Sequence, residues 1–331
     1  MFDLHQLGWA SFFQSQLSAE EWEAYCPGRI ALIHQGQAVV WSAQGEHTPD
    51  IARFEEPKNL AVGDWVCLPK NPQPRIRRLD RKNELTRWAS GGQARTQLIC
   101  ANLDTLIVVL ACNDDFSESR IERYLALAAE ARIRPVIVLT KADLTDQAGD
   151  YVQAAHALDA EIQIECVDAR VPDQLTALHP LCSVGQTVAL MGASGMGKST
   201  LINSLADAGQ ATVEVSAFDN KGQHCTSARS LHRMPGGGLL MDTPGTRELQ
   251  LAACESGIDA VFPDVVQFVG KCRYNNCRHL SDTGCAIRDA LDAGALNAAR
   301  WQRYQQLQSE QIRFFEAISA SKKRLRKRRK Y

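Results

Sequence analysis

At 331 residues the chain is long for one hydrophobic core, and a prior of about 100–200 residues per domain implies two or three. An apolar content of 45% with 23% charge excludes wholesale disorder, and no run of about 18 apolar residues is present to span a bilayer. The net charge of -1 hides an asymmetry: segment 322–330, KKRLRKRRK, holds eight of the 37 Lys and Arg, leaving 29 basic residues against 38 acidic ones. Such a basic block is either a solvated extension or an arm for nucleic acid.

In chain order, residues 1–27 read as a helical extension stopping at CPG. Its opening, MFDLHQLGWASFFQSQ, lacks the basic start and apolar centre of a signal peptide, so the expected location is cytoplasmic. Eleven scattered cysteines then read as mostly buried thiols, with only a close cluster arguing otherwise. Over 28–98 short alternating runs, RIALIHQ, QAVVW, DIARFE and DWVCLP, are set between turn residues, which predicts a small OB-like β-barrel. Trp41 and Trp65 within it either stack bases or fill a core, and the burial habit of tryptophan favours the core.

From 99 to 255 the rhythm becomes strand, helix, strand, helix. TLIVVLA, PVIVLT, EIQIECV and QTVALMG are apolar runs suited to strands buried on both faces. ESRIERYLALAAEAR brings Ile121, Leu125 and Ala128 to one side of a helix, and DYVQAAHAL reads as another. The alternation predicts an α/β domain with a mostly parallel sheet. TKAD, comprising Thr140, Lys141, Ala142 and Asp143, ends the second of these strands. A carboxylate such as Asp143 accepts from the ring N–H and exocyclic amine of guanine, donors that adenine does not match, while the Lys141 stem can lie over the ring. Standing alone, the tetrapeptide reads first as a turn with ordinary surface charges.

GASGMGKST fits G-x-x-x-x-G-K-[ST] at Gly192, Gly197, Lys198 and Ser199 and includes Ala193, Ser194, Gly195, Met196 and Thr200. Glycines let successive N–H groups turn onto phosphate oxygens, and the helix opening at KSTLINSLA points its positive end at the same anion. Lys198 neutralises the β- and γ-phosphates and Ser199 offers its hydroxyl to Mg²⁺. Downstream, NKGQHCTSA holds Thr226, a hydroxyl for the ion when the triphosphate is bound. GGGLLMDTPG then supplies a buried strand ending at Asp242, suited to the Mg²⁺ shell, and Gly245, whose N–H can sense the γ-phosphate. Beside this P-loop and DTPG, at a strand end, TKAD favours GTP over ATP. The order is therefore base reader, P-loop, switch, DTPG, a circular permutation of the usual GTPase succession. Such a rearrangement is tolerated where old termini lie close and new ones open at the surface.

The remainder, 256–331, carries CRYNNCRHLSDTGC followed by a helical stretch from Leu296 into the basic tail. Cys272, Cys277, His279 and Cys285 form C-x4-C-x-H-x5-C, three thiolates and one imidazole that complete a tetrahedral Zn²⁺ shell with no open position. Zinc there replaces the core that so short a segment cannot build, and the cluster also looks like an RNA-binding knuckle.

Taken together, GDWV, ANLDTLIVV, TKADL, GASGMGKSTL, KGQHCTS, DTPG and the Cys/His motif closely resemble the circularly permuted GTPases of the RsgA family, over nearly the whole chain. The resemblance implies an OB domain, a permuted GTPase domain and a C-terminal zinc domain. It also implies action late in 30S ribosomal subunit maturation, with contacts to 16S rRNA and subunit-stimulated GTP hydrolysis, by a monomer without membrane attachment. The chain departs from the family in three places. Thr140 stands where the base-reading motif usually has Asn, which implies loss of a buttress to the P-loop and weaker binding. The Ser-Ala element is replaced by Asp168 and Ala169, of which only the Ala N–H contact to guanine O6 carries over. Cys225 and Ser227 break the threonine run around Thr226. Thr246 follows DTPG and cannot orient water as a glutamine does, so the resemblance points to His224 as the catalytic residue. Two other readings stand beside this one: a nucleotide-regulated RNA-binding scaffold whose hydrolysis is incidental, and a P-loop kinase, for which no acceptor pocket is marked.

Overall fold

The computed structural model describes residues 2–71, 75–88, 96–207, 229–242, 251–280 and 282–328. Helices α1 (Ser11–Gln14) and α2 (Ala19–Ala24) precede strands β1 (Tyr25–His34), β2 (Gln37–Ser42), β3 (Gly45–His47), β4 (Trp65–Pro69), β5 (Arg77–Arg78), β6 (Glu84–Trp88) and β7 (Thr96–Ala101). The alternating region contains β8 (Thr105–Ala111), α3 (Glu118–Ala131), β9 (Arg134–Thr140), α4 (Ala148–His156), β10 (Gln163–Cys166), β11 (Thr187–Met191), α5 (Lys198–Asp207), β12 (Ser230–Arg233) and β13 (Leu239–Asp242). Helices α6 (Glu255–Val261), α7 (Pro263–Val266), α8 (Ala286–Asp292) and α9 (Ala298–Arg328) follow. Among the described residues no helix is long and apolar enough to cross a membrane.

Two compact units divide the chain. The first comprises Met1–Thr86, Leu98–Phe116 and Ile133–Leu249; the second comprises Arg87–Gln97, Ser117–Arg132 and Gln250–Tyr331. In the first, the sheet runs β10-β9-β8-β11-β13-β12-β1-β2-β3, with β4 and β5 branching from β1. The pairs β10/β9, β9/β8, β8/β11 and β11/β13 are parallel, and β12 joins antiparallel. Every residue of the central strand β8 is buried, as a strand covered on both faces requires. Its Ile107 and Val109 share a core with Val136, Val138, Leu175, Val188, Leu190 and Leu201. From β8 the chain steps to β9 and β10 on one side, then returns to β11 on the other. The strand order therefore reverses between β8 and β11, where an open parallel sheet leaves a crevice at the carboxyl ends of its strands.

The OB-like part is built on β1, which pairs with both β2 and β4 and carries an irregularity between Ile30 and Leu32 that helps it curl. Two expectations are corrected here. CPG does not stop the lead-in: β1 runs through Pro27, which is tolerated because pairing with β2 begins only at Gly28. DIARFE is not a strand, because the Asp50 carboxylate accepts the Ala52 N–H at 2.7 Å and turns 51–53 into a 3-10 helix. Trp65 is a core residue, 1% exposed. Trp41 stacks on Phe2 at 5.3 Å and donates its indole N–H to Glu46.

One buried cation ties the barrel to the parallel sheet. The Arg29 guanidinium donates to the Leu7 carbonyl at 2.6 Å, the Thr187 hydroxyl at 2.8 Å, the Asn102 carbonyl at 2.8 Å and the Gly63 carbonyl at 3.3 Å. Burial pulls its pKa down to about 10, against the pull of Asp104 and Asp64. GDWV belongs to the same joint. Gly63 sits at φ 92 with no room for a side chain beside the Ala101 carbonyl, and buried Asp64 accepts from Arg81 at 2.7 and 2.9 Å.

The second unit packs α6 on α3 so closely that a β-carbon on Gly257 would meet the Ala126 carbonyl oxygen at 2.1 Å. The wholly buried Glu122 carboxylate of α3 accepts from Arg300 at 2.6 Å and Arg303 at 2.7 Å, both on α9, while Arg123 is bidentate on Glu310. Arg300 also lies over the Phe262 ring at 4.3 Å. Among the described residues, cysteines outside the Cys/His cluster divide as expected: Cys26, Cys67, Cys100, Cys112, Cys182 and Cys254 are buried thiols, and Cys166 is half-buried.

Candidate functional site

Four strand ends of the first unit meet along one edge of the sheet. Thr140 closes β9, Asp168 and Ala169 follow β10, Gly192 follows β11, and Asp242 closes β13. Parallel strands lie about 4.8 Å apart, so β9 and β11, each one strand from β8, sit about 10 Å apart across the crevice.

The loop from Gly192 to Gly197 is shaped by backbone approach. A β-carbon on Gly192 would lie 2.3 Å from the Val109 carbonyl of β8, and Gly197 adopts φ 84 with Thr140 Oγ1 only 3.2 Å from where its β-carbon would stand. Met196 is buried in the core beneath the loop, while Ala193 and Ile202 pack against the same cluster. Lys198, Ser199, Thr200 open α5. The Lys198 ammonium donates to the carbonyls of Gly192 at 2.9 Å and Ala193 at 2.6 Å, which fixes the charge at the mouth of the loop. Ser194 and Gly195 form its exposed tip.

Thr140 is 1% exposed, and its Oγ1 lies 2.7 Å from the Met196 carbonyl and 3.1 Å from that of Leu110. A hydroxyl has one proton to donate, and the shorter contact takes it. The P-loop buttress expected to be missing with threonine at this position is therefore supplied by the threonine itself. Lys141 then adopts the left-handed region at φ 60, uncommon for a residue with a side chain, and turns the chain out of β9 into the single 3-10 turn Ala142–Leu144.

Asp143 points toward the loop after β10, and sequence reasoning missed what it finds there. Arg170 donates from Nη2 to Asp143 Oδ2 at 2.6 Å. The same guanidinium donates to Asp168 through Nε at 2.9 Å and Nη2 at 2.8 Å, and these bonds hold the Asp168 carboxyl below its ordinary range. An arginine two residues after an aspartate was the available signal, but its link to Asp143, 27 residues earlier, needed the fold. Ala169 is buried in the strand core. Asp242 is half-buried; burial pushes its carboxyl up, partly countered by His232 on the adjacent strand. His224, Thr226 and Gly245 lie outside the described residues.

In the second unit, Cys272, Cys277, His279 and Cys285 bring their donor atoms within 4.8 Å of one another. The His279 Nδ1 lies 3.5, 3.6 and 3.4 Å from the sulfurs of Cys272, Cys277 and Cys285, and the Cys272 and Cys285 sulfurs are 3.9 Å apart. With Zn–S of about 2.3 Å and Zn–N of about 2.0–2.1 Å, tetrahedral edges are about 3.8 Å for S···S and about 3.6 Å for S···N, so the donors fit such an ion. The local backbone enforces this shape. His279 is left-handed at φ 59 with its N–H 3.4 Å from Cys277 Sγ, and the Arg273 N–H donates to the Gly284 carbonyl at 2.9 Å. The imidazole rests edge-on against Trp301 of α9 at 5.5 Å.

The model of the family described as RsgA GTPase matches residues 78–252. Among relatives, the chain is 45% identical over 311 residues to the Vibrio vulnificus protein named small ribosomal subunit biogenesis GTPase RsgA 2, covering 94% of this chain and 88% of that one. It is 42% identical over 311 residues to small ribosomal subunit biogenesis GTPase RsgA of Mesorhizobium japonicum, covering 93% and 89%. Of solved structures, YjeQ from Thermotoga maritima superposes with a TM-score of 0.60 at 21% identity, covering 89% of this chain and 99% of that one. YloQ, described as a circularly permuted GTPase, gives 0.58 at 22% identity, covering 86% and 94%. These two likenesses establish the permuted fold.

Proposed function

This chain belongs to the RsgA GTPase family, and we propose that it hydrolyses GTP to GDP and phosphate in late maturation of the small ribosomal subunit. One observation carries the nucleotide reading: the Thr140 hydroxyl reaches the Met196 carbonyl, so two motifs 56 residues apart and in inverted succession touch at one sheet edge. In this reading the base lies toward Thr140–Asp143 and the phosphates over Gly192–Thr200. Asp143 accepts from the ring N–H and amine of guanine, the Lys141 stem covers the ring, and the Ala169 N–H meets O6. Backbone N–H groups of the loop and the Lys198 ammonium take the phosphates.

Ser199, Thr226 and Asp242 would hold Mg²⁺, which would supply charge neutralisation to the phosphates. Gly245 reads the γ-phosphate, and His224 orients or deprotonates the attacking water. His224→Ala is expected to keep nucleotide affinity and lose most subunit-stimulated turnover; unchanged stimulated turnover removes the assignment. Cys272, Cys277, His279 and Cys285 hold one structural zinc, whose closed shell supplies folding free energy.

We further propose four functional parts: an extension ahead of β1, the OB-like barrel from β1 to residue 98, the GTPase domain over 99–255, and the zinc domain with its helix and basic tail over 256–331. The partners are GTP and GDP, the 30S subunit and its 16S rRNA, met by a cytoplasmic monomer through barrel, zinc domain and tail. The deciding experiment measures turnover with and without 30S subunits, together with co-sedimentation in a GTP analogue and in GDP. Strong stimulation and analogue-dependent binding support the proposal. Flat, slow turnover favours the RNA-binding scaffold, and equal displacement of bound nucleotide by ATP favours a kinase.

A further inference from the structure

The carboxylate assigned to the base is engaged by the chain itself. Arg170 donates from Nη2 to Asp143 Oδ2 at 2.6 Å, and its arm is anchored on the far side. Asp168 accepts the Arg170 Nε, Nη2 and backbone N–H at 2.9, 2.8 and 3.0 Å, while the Asp168 N–H is pinned to Gln174 Oε1 at 2.7 Å. Exposure is graded along this chain of bonds. The side chain of Asp168 is 14% exposed, that of Asp143 27%, and that of Arg170 65%. The anchor is thus half-buried, and the guanidinium lies on the open side.

A guanidinium offers a carboxylate parallel N–H donors on one planar N–C–N edge. The ring N–H and exocyclic amine of guanine form the same edge. In the protein the parallel Nε/Nη2 pair is spent on Asp168, and Asp143 receives a single N–H on Oδ2, an oxygen that in-plane pairing with guanine also needs, so the two donors compete for it. We propose that Arg170 is an internal competitor for the base subsite, a latch that incoming guanine displaces from Asp143 and that re-forms as the nucleotide leaves. The inference rests on the reading of Asp143 as the acceptor for guanine. Asp168 is then a positioning residue that keeps the displaced guanidinium close by.

The test uses the full chain and a fluorescent GDP derivative, with inorganic pyrophosphate as a probe that lacks a base. An exposed ion pair shifts an equilibrium by up to about five-fold. Arg170→Ala and Arg170→Gln are expected to bind GDP about three- to five-fold tighter, without tightening pyrophosphate. Asp168→Asn, which loosens the anchor, should tighten GDP in the same direction, and should add nothing once Arg170 is already alanine. Weaker or unchanged GDP binding in the Arg170 variants, equal tightening of pyrophosphate, or additive effects of the two positions would each overturn the latch. Failure of the wild-type chain and every variant to bind GDP would instead overturn the base-site reading beneath it.

Discussion

The nucleotide edge and the Cys/His knuckle solve one problem, converging donors on a ligand, by opposite means. The edge draws its groups from Thr140 to Asp242, and they meet because four strand ends share one side of a sheet. The knuckle draws all four ligands from 272–285, and they meet because two left-handed backbone positions, His279 at φ 59 and Gly284 at φ 74, fold a short segment on itself. The first is held by the buried core of β8 and its neighbours, independent of any ligand. The second has little apolar content of its own and, in the proposed reading, would depend on the ion. The edge should consequently lose function by degrees when side chains are removed, whereas the knuckle should fail as a whole.

The sharpest test of that contrast is Cys285→Ser. Cys285 is fully buried, and structural zinc contributes about 10–16 kcal/mol of apparent binding free energy, so loss of one thiolate should abolish stoichiometric metal and open 272–285 to protease. Metal analysis and limited proteolysis read both effects; a variant that still holds one zinc per chain would mean the ligand set is wrong. The edge should answer more mildly. Asp143→Asn keeps the shape but turns an acceptor toward guanine into a donor, at about 1.5–3 kcal/mol for a charge-assisted bond, or about 10–150-fold in GDP affinity. ADP affinity should stay where it is. If the GDP-to-ADP ratio does not move, Asp143 does not read the base.

Much of both regions was legible in the sequence because backbone conformation and ligand chemistry dictate residue type. Gly192 and Gly197 were expected from phosphate chemistry; Val109 leaves no room for a β-carbon at the first, and the second sits at φ 84 with Thr140 crowding it. TLIVVLA matched β8 residue for residue, since a strand buried on both faces is apolar along nearly all its length. What escaped depended on partners far along the chain or on side chains that compete with the backbone. DIARFE alternates like a strand, yet the Asp50 carboxylate turns it. Arg29 reads as an ordinary polar residue within a strand, and only the fold shows it gathering Leu7, Gly63, Asn102 and Thr187. Arg170 reads as a surface charge because its partner Asp143 belongs to another strand end.

Thr140 gives the finest measure of how the edge is held. Its hydroxyl is the direct tie between the base motif and the P-loop, and Thr140→Val keeps the volume while removing that proton. The Met196 carbonyl would lose its bond from Oγ1 at a buried position, where a net hydrogen bond is worth about 1 kcal/mol, or about five-fold in an equilibrium. The loss should fall on the loop rather than on the sheet, because β9 keeps its ladder to β8 and β10. GDP affinity should accordingly drop about five-fold. Thr140→Ser, which retains the hydroxyl, should stay close to wild type in the same titration. Equal affinities for the valine variant and wild type would mean that the loop holds its shape without the base motif, and the two would then be neighbours at the edge rather than one coupled site.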